Sequence, residues 1–341
     1  MRVLVTGGAG YIGSHTLIEL VQSGHEPFVV DTFENSSEEA LRRVGELIQK
    51  RIPFARCDVR DRGELTRVFE DFQPEAVIHF AGLKAVGESA ERPGDYYDVN
   101  VAGSIAVLAA MDAVGCNKIV FSSTATVYGL PEYLPYDEQH PRRPMSVYAK
   151  TKNMVENILE DWHSANPQSS VLSLRYFNPV GAHASARIGE DPQGIPNNLM
   201  PFIAQVAVGR REKLMVFGND YDTTDGTGVR DYIHVTDLAN AHLAALDYIA
   251  NNQSLDAINI GTGQGSSVFD LLRAFENASG KQIPFEIAPR RAGDVAAMAA
   301  DATRAFDVLG WKAKLDIDDM CASVWHWQSE NPLGYEDPDA S

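Results

Sequence analysis

A short apolar strand, Arg2–Thr6, runs straight into three evenly spaced glycines, Gly7, Gly10 and Gly13, and then into residues of helical periodicity. Glycine at those positions permits a tight turn, close approach of the main chain to an anion, and close seating of a helix on its strand. The helix predicted over about Tyr11–Ser23 buries Leu17, Leu20 and Val21 at helical spacing and stops at Gly24. Its first turn offers unpaired N–H groups and the positive end of the helix dipole to phosphate. The next strand, Phe28–Val30, ends in Asp31, near the ~20-residue spacing at which a carboxylate meets an adenosine ribose. A carboxylate there repels a 2′-phosphate, so the pattern favours NAD over NADP.

Further buried-type strands follow at Ala76–Phe80, Lys118–Phe121 and Val171–Phe177, with a long helical segment through Val101–Val114. Runs apolar on both faces, separated by helices, predict an α/β fold built on a doubly wound parallel Rossmann sheet. After about Asn178 the pattern loosens. Pro179–Asn197 is rich in Gly and Pro and reads as a structured loop over a site, and helices are predicted near Asp237–Ile249 and Ser267–Ala278. The expected organisation is a dinucleotide domain over residues 1–177 and a smaller C-terminal α/β substrate domain over 178–341. The acidic, proline-bearing tail after Asn331 is expected to fray.

A formal charge of −18 over 341 residues disfavours nucleic acid and anionic membranes as partners. It leaves room for a small anion held by a few arginines and helix N-termini. No run approaches the roughly 18 uninterrupted apolar residues of a membrane span, and the early glycines leave no signal-peptide core after Met1. Cys57, Cys116 and Cys321 are odd in number, widely spaced and free of metal-ligand patterning. The expectation is a cytoplasmic protein with reduced thiols and no metal.

Tyr148 and Lys152 stand four residues apart, on one face of a helix predicted to run to about Ala165 and packed through Met154, Val155, Ile158, Leu159 and Trp162. The pair alone is unspecific. Context sharpens it: the strand upstream ends in Ser122-Ser123-Thr124, which puts hydroxyls at the carboxyl edge of the sheet, where ligands of such folds bind. A phenol with an ordinary pKa of about 10 is a poor base, and a neighbouring ammonium and a cationic nicotinamide ring are expected to lower it. Thr124 is placed to hydrogen-bond the reacting oxygen.

The glycine turn, Phe80-Ala81-Gly82, the Ser122–Thr124 strand end and Tyr148/Lys152 together resemble the extended short-chain dehydrogenase/reductases. Longer runs are more specific. Phe80–Ser89 (FAGLKAVGES), Arg175–His183 (RYFNPVGAH), Gly189–Pro201 (GEDPQGIPNNLMP), Asp225–Val235 (DGTGVRDYIHV) and Ala288–Asp294 (APRRAGD) resemble the UDP-glucose 4-epimerase family, and the likeness extends to Trp327. It implies an NAD site made of Gly7, Gly10, Tyr11, Ile12, Gly13, Asp31, Asn35, Ser36, Asp58, Val59, Phe80, Ala81, Gly82, Lys84, Asn100 and Phe177 together with Tyr148 and Lys152. It implies a UDP-sugar site made of Lys84, Thr124, Tyr148, Asn178, Asn198, Leu199, Val216, Phe217, Arg230, Arg291, Asp294 and Met298. Tyr148, Lys152 and Thr124 are the implied catalytic set, and a homodimer through helices 100–115 and 148–165 is the implied assembly. Arginines suit a diphosphate and amides suit sugar and uracil edges; His183 and His234 read as packed or solvent-facing.

The implied reaction interconverts UDP-galactose and UDP-glucose in galactose metabolism. Tyr148 takes the 4-hydroxyl proton as the C4 hydride passes to NAD; the 4-keto sugar swings about its diphosphate link, and reduction on the other face inverts C4. Two positions depart from the family. Val99 replaces the first of two adjacent asparagines, leaving Asn100, and Met298 stands where bacterial hexose epimerases commonly have tyrosine, which leaves N-acetylated UDP-sugars open as substrates. A nucleotide-sugar 4,6-dehydratase needs an acid just after the catalytic hydroxyl, and Ala125-Thr126 supply none. A UDP-glucuronate 4-epimerase, or a silent NAD-binding regulator that would have lost Tyr148 or Lys152, are the other readings.

Overall fold

The structure, a computed structural model, describes residues 1–291 and 293–336; Ala292 and residues 337–341 of the tail lie outside the described residues. Its main layer is a seven-stranded, wholly parallel sheet. In spatial order the strands are 255–260, 170–176, 118–124, 76–79, 2–6, 26–31 and 54–56. The chain winds outward from Arg2–Thr6 in one direction and then, from Ala76–His79, in the other. The switch point therefore falls between these two strands, where crevices in such sheets open. Fully buried Val3, Val5, Ile78 and Val120 face one helical layer, and Leu4, Val77, Ile119 and Phe121 the other.

Two strands of this sheet were not anticipated, Phe54–Arg56 and Leu255–Ile260. The second draws a segment of the C-terminal half into the main sheet. Leu255–Ile260 pairs in parallel with Val171–Tyr176, and the helix before it, Val235–Asn251, buries Leu238, Ala241 and Leu246 in the same core as Leu17 and Leu20. The dinucleotide domain is thus closed by a segment from the C-terminal half. The rest of that half forms its own lobe. Strand Val229–His234 pairs with Asn178–Val180, Ala297–Met298 and Gly265–Ser267. A second, parallel pair is Leu214–Phe217 with Phe285–Ala288. Ile203, Leu271, Phe275, Met320 and Val324 fill the core between them.

The catalytic helix, Val147–Ala165, starts where Ser146 accepts from the Ala149 N–H at 3.1 Å, the N-cap arrangement that satisfies an orphan donor. Val155 and Leu159 are each buried to 1% exposure, worth about 1.5–3 kcal/mol apiece. The segment Pro93–Val114 is long and apolar enough by length and composition to cross a membrane. Here its Val107, Leu108 and Met111 belong to the core of the sheet, and residues Tyr97–Ala102 form a π-helical turn around the buried Asn100. The tail expected to fray is docked as far as Tyr335: its ring lies 5.0 Å from Trp327 and under Arg43, and its N–H donates to Asp191 at 2.9 Å. An aromatic ring with a pocket to fill holds the tail despite its acidic composition.

Candidate active site

The glycine turn is packed against the next strand's exit. Gly7 takes φ +68°, and a Cβ there would lie 2.7 Å from the Ala81 nitrogen; one at Gly13 would lie 2.6 Å from the Gly7 carbonyl. Only glycine fits either position. The helix Tyr11–Gln22 begins at Gly10 with no side-chain cap and no acid in its first turn, so its leading N–H groups remain available to an anion. Asp31 accepts from the Ala9 N–H at 3.0 Å, the Phe33 N–H at 2.9 Å and the Ser36 hydroxyl at 2.8 Å. A carboxylate has about four acceptor sites, so Asp31 both closes the turn and keeps capacity for a ribose hydroxyl, while the Ser36 hydroxyl gives its proton to Asp31 and keeps its acceptor lone pairs. The chain's residues therefore fit a dinucleotide.

At the far end of that groove, Asn35 is exposed. Asp58 is locked to Arg60, which holds its carboxyl below the usual range. Val59 is buried in the core, so only its main chain can serve a ligand. Asn100 is likewise committed. Its amide accepts from Leu83 N–H at 2.7 Å and donates to the Leu83 carbonyl at 3.0 Å and the Thr151 hydroxyl at 2.9 Å. It positions the Gly82–Lys84 loop against the catalytic helix, and a Cβ on Gly82 would crowd its oxygen at 3.0 Å. Phe80 packs on His242 with ring centres 4.7 Å apart, and the Tyr11 hydroxyl donates to the Gly181 carbonyl at 2.6 Å. Ile12 packs on the core beside them.

Tyr148, Lys152 and Thr124 come together at the carboxyl edge of the sheet. Lys152 Nζ is buried, donates to the Ser122 carbonyl at 2.8 Å and lies 4.9 Å from the Phe121 ring centre. Burial lowers its ammonium to about 8. The Tyr148 phenol is raised to about 12 by burial, against the lowering pull of the Thr124 hydroxyl. Among the chain's own groups, burial outweighs the lowering pull of Thr124 on the phenol.

Across the cleft stands the second lobe. Arg230 and Arg291 converge on Asp294, at 3.9 and 3.3 Å, and Arg291 also covers the Phe217 ring at 4.7 Å. Asn198 precedes the helix Leu199–Ala207 without capping it by its side chain, leaving the Leu199 N–H end open. Asn178 follows Phe177 into the strand that pairs with Tyr232. Met298 pairs in register with Arg230 and packs with Ala125, Tyr136 and the buried Phe177, in the wall nearest Thr124. The Val216 side chain lies in the lobe's core, so its main chain is the part that could serve a ligand. His234 is buried, caps the helix Val235–Asn251 and meets Ser323, and its ring is lowered to about 4 by burial. Both it and the half-buried His183 are packing residues.

A family profile described as GDP-mannose 4,6 dehydratase matches residues 4–324. The UDP-glucose 4-epimerase of Bacillus subtilis (strain 168) is 55% identical, covering 98% of this chain and 99% of that one. The chain belongs to the UDP-glucose 4-epimerase family. The human UDP-glucose 4-epimerase is 54% identical, with 98% of each chain covered. A solved UDP-glucose 4-epimerase from Bifidobacterium longum, in complex with NAD+ and UDP, superposes with TM-score 0.95 at 50% identity, covering 98% of this chain and 100% of that one. The dehydratase profile describes the broader family. In this epimerase-family chain Thr124 leads into Ala125 and meets the Thr126 hydroxyl at 3.0 Å, and no acid follows it to drive elimination of water.

Two residues of this site, Glu156 and Glu190, escaped the sequence reading, as did the part played by the Ser122 main chain. Ser122 supplies the carbonyl that holds Lys152. Glu156, one turn beyond Lys152, is buried against Ser123, Arg175 and Arg142. Glu190 accepts from both Lys84 and Asn198. Of these only Glu156 carried a legible signal, its i+4 spacing from Lys152 on the same helical face.

Proposed function

We propose that this chain interconverts UDP-galactose and UDP-glucose, epimers at C4, with NAD retained and no net redox change. The observation that carries the proposal is the Tyr148–Thr124–Lys152 cluster at the sheet's ligand edge, faced across the cleft by Arg230, Arg291 and Asp294. Bound NAD supplies the two-electron acceptor and donor for C4 and, while oxidised, a positive ring that lowers the neighbouring phenol. Tyr148 takes the proton from the 4-hydroxyl, and Thr124 holds the sugar oxygen as it becomes a carbonyl. Lys152, fixed by Ser122, keeps positive charge beside the phenol. Arg230 and Arg291 hold the diphosphate with planar donors, joined by Asn178 and by the open helix end at Asn198–Leu199. The Phe217 ring and Val216 main chain serve the uracil.

Anchoring by the nucleotide leaves the 4-keto sugar free to turn, after which Tyr148 returns its proton to the oxygen of the inverted centre. Met298 gives the sugar wall an unbranched, adaptable side chain, which supports acceptance of N-acetylated UDP-sugars as well. Exposed Ile105 and Met154, at 39% and 42% on the helices Gly103–Val114 and Val147–Ala165, support a homodimer through that pair. Three buried free thiols support a cytoplasmic site of action. The test is to incubate purified protein with UDP-galactose and no added cofactor. UDP-glucose should form up to equilibrium; a stoichiometric keto product that needs fresh NAD would make the chain a dehydrogenase instead.

A further inference from the structure

Glu190 stands between two candidate ligand-binding donors, Lys84 and Asn198. Its side chain is only 11% exposed, and one oxygen, Oε1, accepts from Lys84 Nζ at 3.3 Å and from Asn198 Nδ2 at 3.0 Å. Lys84 follows the strand Ala76–His79 on the dinucleotide side, and Asn198 immediately precedes the helix Leu199–Ala207 on the other. The main chain beneath the carboxylate is pinned. Trp327 Nε1 donates to the Glu190 carbonyl at 3.3 Å, and the Gly189 N–H donates to the Tyr335 hydroxyl at 3.2 Å. A Cβ on Gly189 would fall 2.4 Å from the Trp327 ring. The carboxylate is held at its two donors by its own backbone and is not a stray surface acid.

Both donors belong to the UDP-sugar set that the family resemblance implies, and the inference rests on the function proposed above. A carboxylate and a phosphate compete for the same kind of charge-assisted donor, and two anions side by side repel. We infer that Glu190 is a place-holding anion that keeps Lys84 and Asn198 aimed across the cleft and yields them to the diphosphate of the nucleotide sugar. It sets affinity downward: part of the binding free energy is spent displacing it, and its return helps product leave. An enzyme gains turnover when the ground state is not held too tightly.

Glutamine at this position keeps the acceptor and the shape but removes the charge. UDP binding to the NAD-loaded protein, measured by titration calorimetry at low and high salt, reads the effect. Glu190→Gln should bind UDP about three- to tenfold more tightly at low salt, the scale of a partly exposed ion pair, with the gain shrinking at high salt. The KM for UDP-galactose should fall by the same factor. Glu190→Ala, which removes the acceptor as well, should also tighten UDP, and in a Lys84→Met background the Glu190→Gln gain should largely vanish. Unchanged or weaker UDP binding in both Glu190 variants would overturn the inference and make Glu190 a structural tie between the lobes. If the wild type itself fails to bind UDP, the nucleotide-sugar reading falls, a result distinct from the first.

Discussion

The two faces of the cleft are built in opposite ways. On the catalytic face, Glu156 pairs with Arg175 at 2.6 Å with both side chains at 5% exposure or less, takes Arg142 at 2.9 Å, and accepts from the Ser123 hydroxyl. Arg175 continues to the Tyr128 hydroxyl at 3.0 Å, and Tyr128 to Asn259 at 2.6 Å. The network ties the helix of Tyr148 and Lys152 to the strand that carries Ser122 and Thr124 and to its neighbour Ser170–Tyr176. On the nucleotide-sugar face, Arg291 is 57% exposed and meets Asp294 at 3.3 Å, and Arg230 meets it at 3.9 Å. Proton transfer demands placement within a fraction of an ångström. A sugar that must present both faces demands the reverse. Buried polar interactions are concentrated where position matters, and more exposed, looser pairs where the substrate has to move.

The comparison breaks most visibly at Glu156. Glu156→Leu leaves the Arg175 charge buried without its carboxylate and should cost about 3–5 kcal/mol in denaturant unfolding. A loss below about 1 kcal/mol would mean the network does not set the helix's register. Next comes Tyr148→Phe, which keeps the ring and removes the base. Turnover should fall by ~10²-fold or more while UDP affinity is kept, and near-normal turnover would remove Tyr148 from the mechanism.

Lys152 sharpens the contrast through pH. Its folded-state pKa is depressed from the ordinary 10.5 to about 8, so between those values the unfolded chain holds more protons than the folded one, and stability contributed by this group rises with pH through that window. Relative to Lys152→Met, the wild type should gain up to about 3 kcal/mol as pH climbs from 8 toward 10.5. Paired thermal melts across that range check it, and a difference flat in pH would mean the ammonium is not desolvated. Met298→Tyr is the smallest change. It should selectively slow N-acetylated substrates by the about 1–3 kcal/mol of a steric misfit; equal loss on both sugars would show that Met298 is no gate.

The sheet's central strands were readable because continuous apolar runs leave little choice of partner. Phe54–Arg56 is too short to show a period, and Leu255–Ile260, interrupted by Asp256 and Asn259, lies far in sequence from Val171–Tyr176, with which it pairs. The glycine turn, and Tyr148 and Lys152 with the Ser122–Thr124 strand end before them, were readable from spacing and context. Glu190 was not, since one of its partners lies 106 residues away. Nor was the Asn100 amide's commitment to Leu83 and Thr151, which depends on a π-helical turn that no local pattern announced. Asp31 was readable as an acid at a strand end, but its three internal donors were not.

The central claim is that the retained cofactor removes and restores the same C4 hydrogen, with Tyr148 moving the hydroxyl proton, while the sugar turns between. UDP-galactose carrying deuterium at C4, incubated with purified protein in ordinary water, decides it by NMR of the product. Predicted is UDP-glucose with the deuterium still at C4 and no label lost to solvent. UDP-glucose with protium at C4, or label at C4 only when reduced cofactor is supplied in solution, would contradict the account.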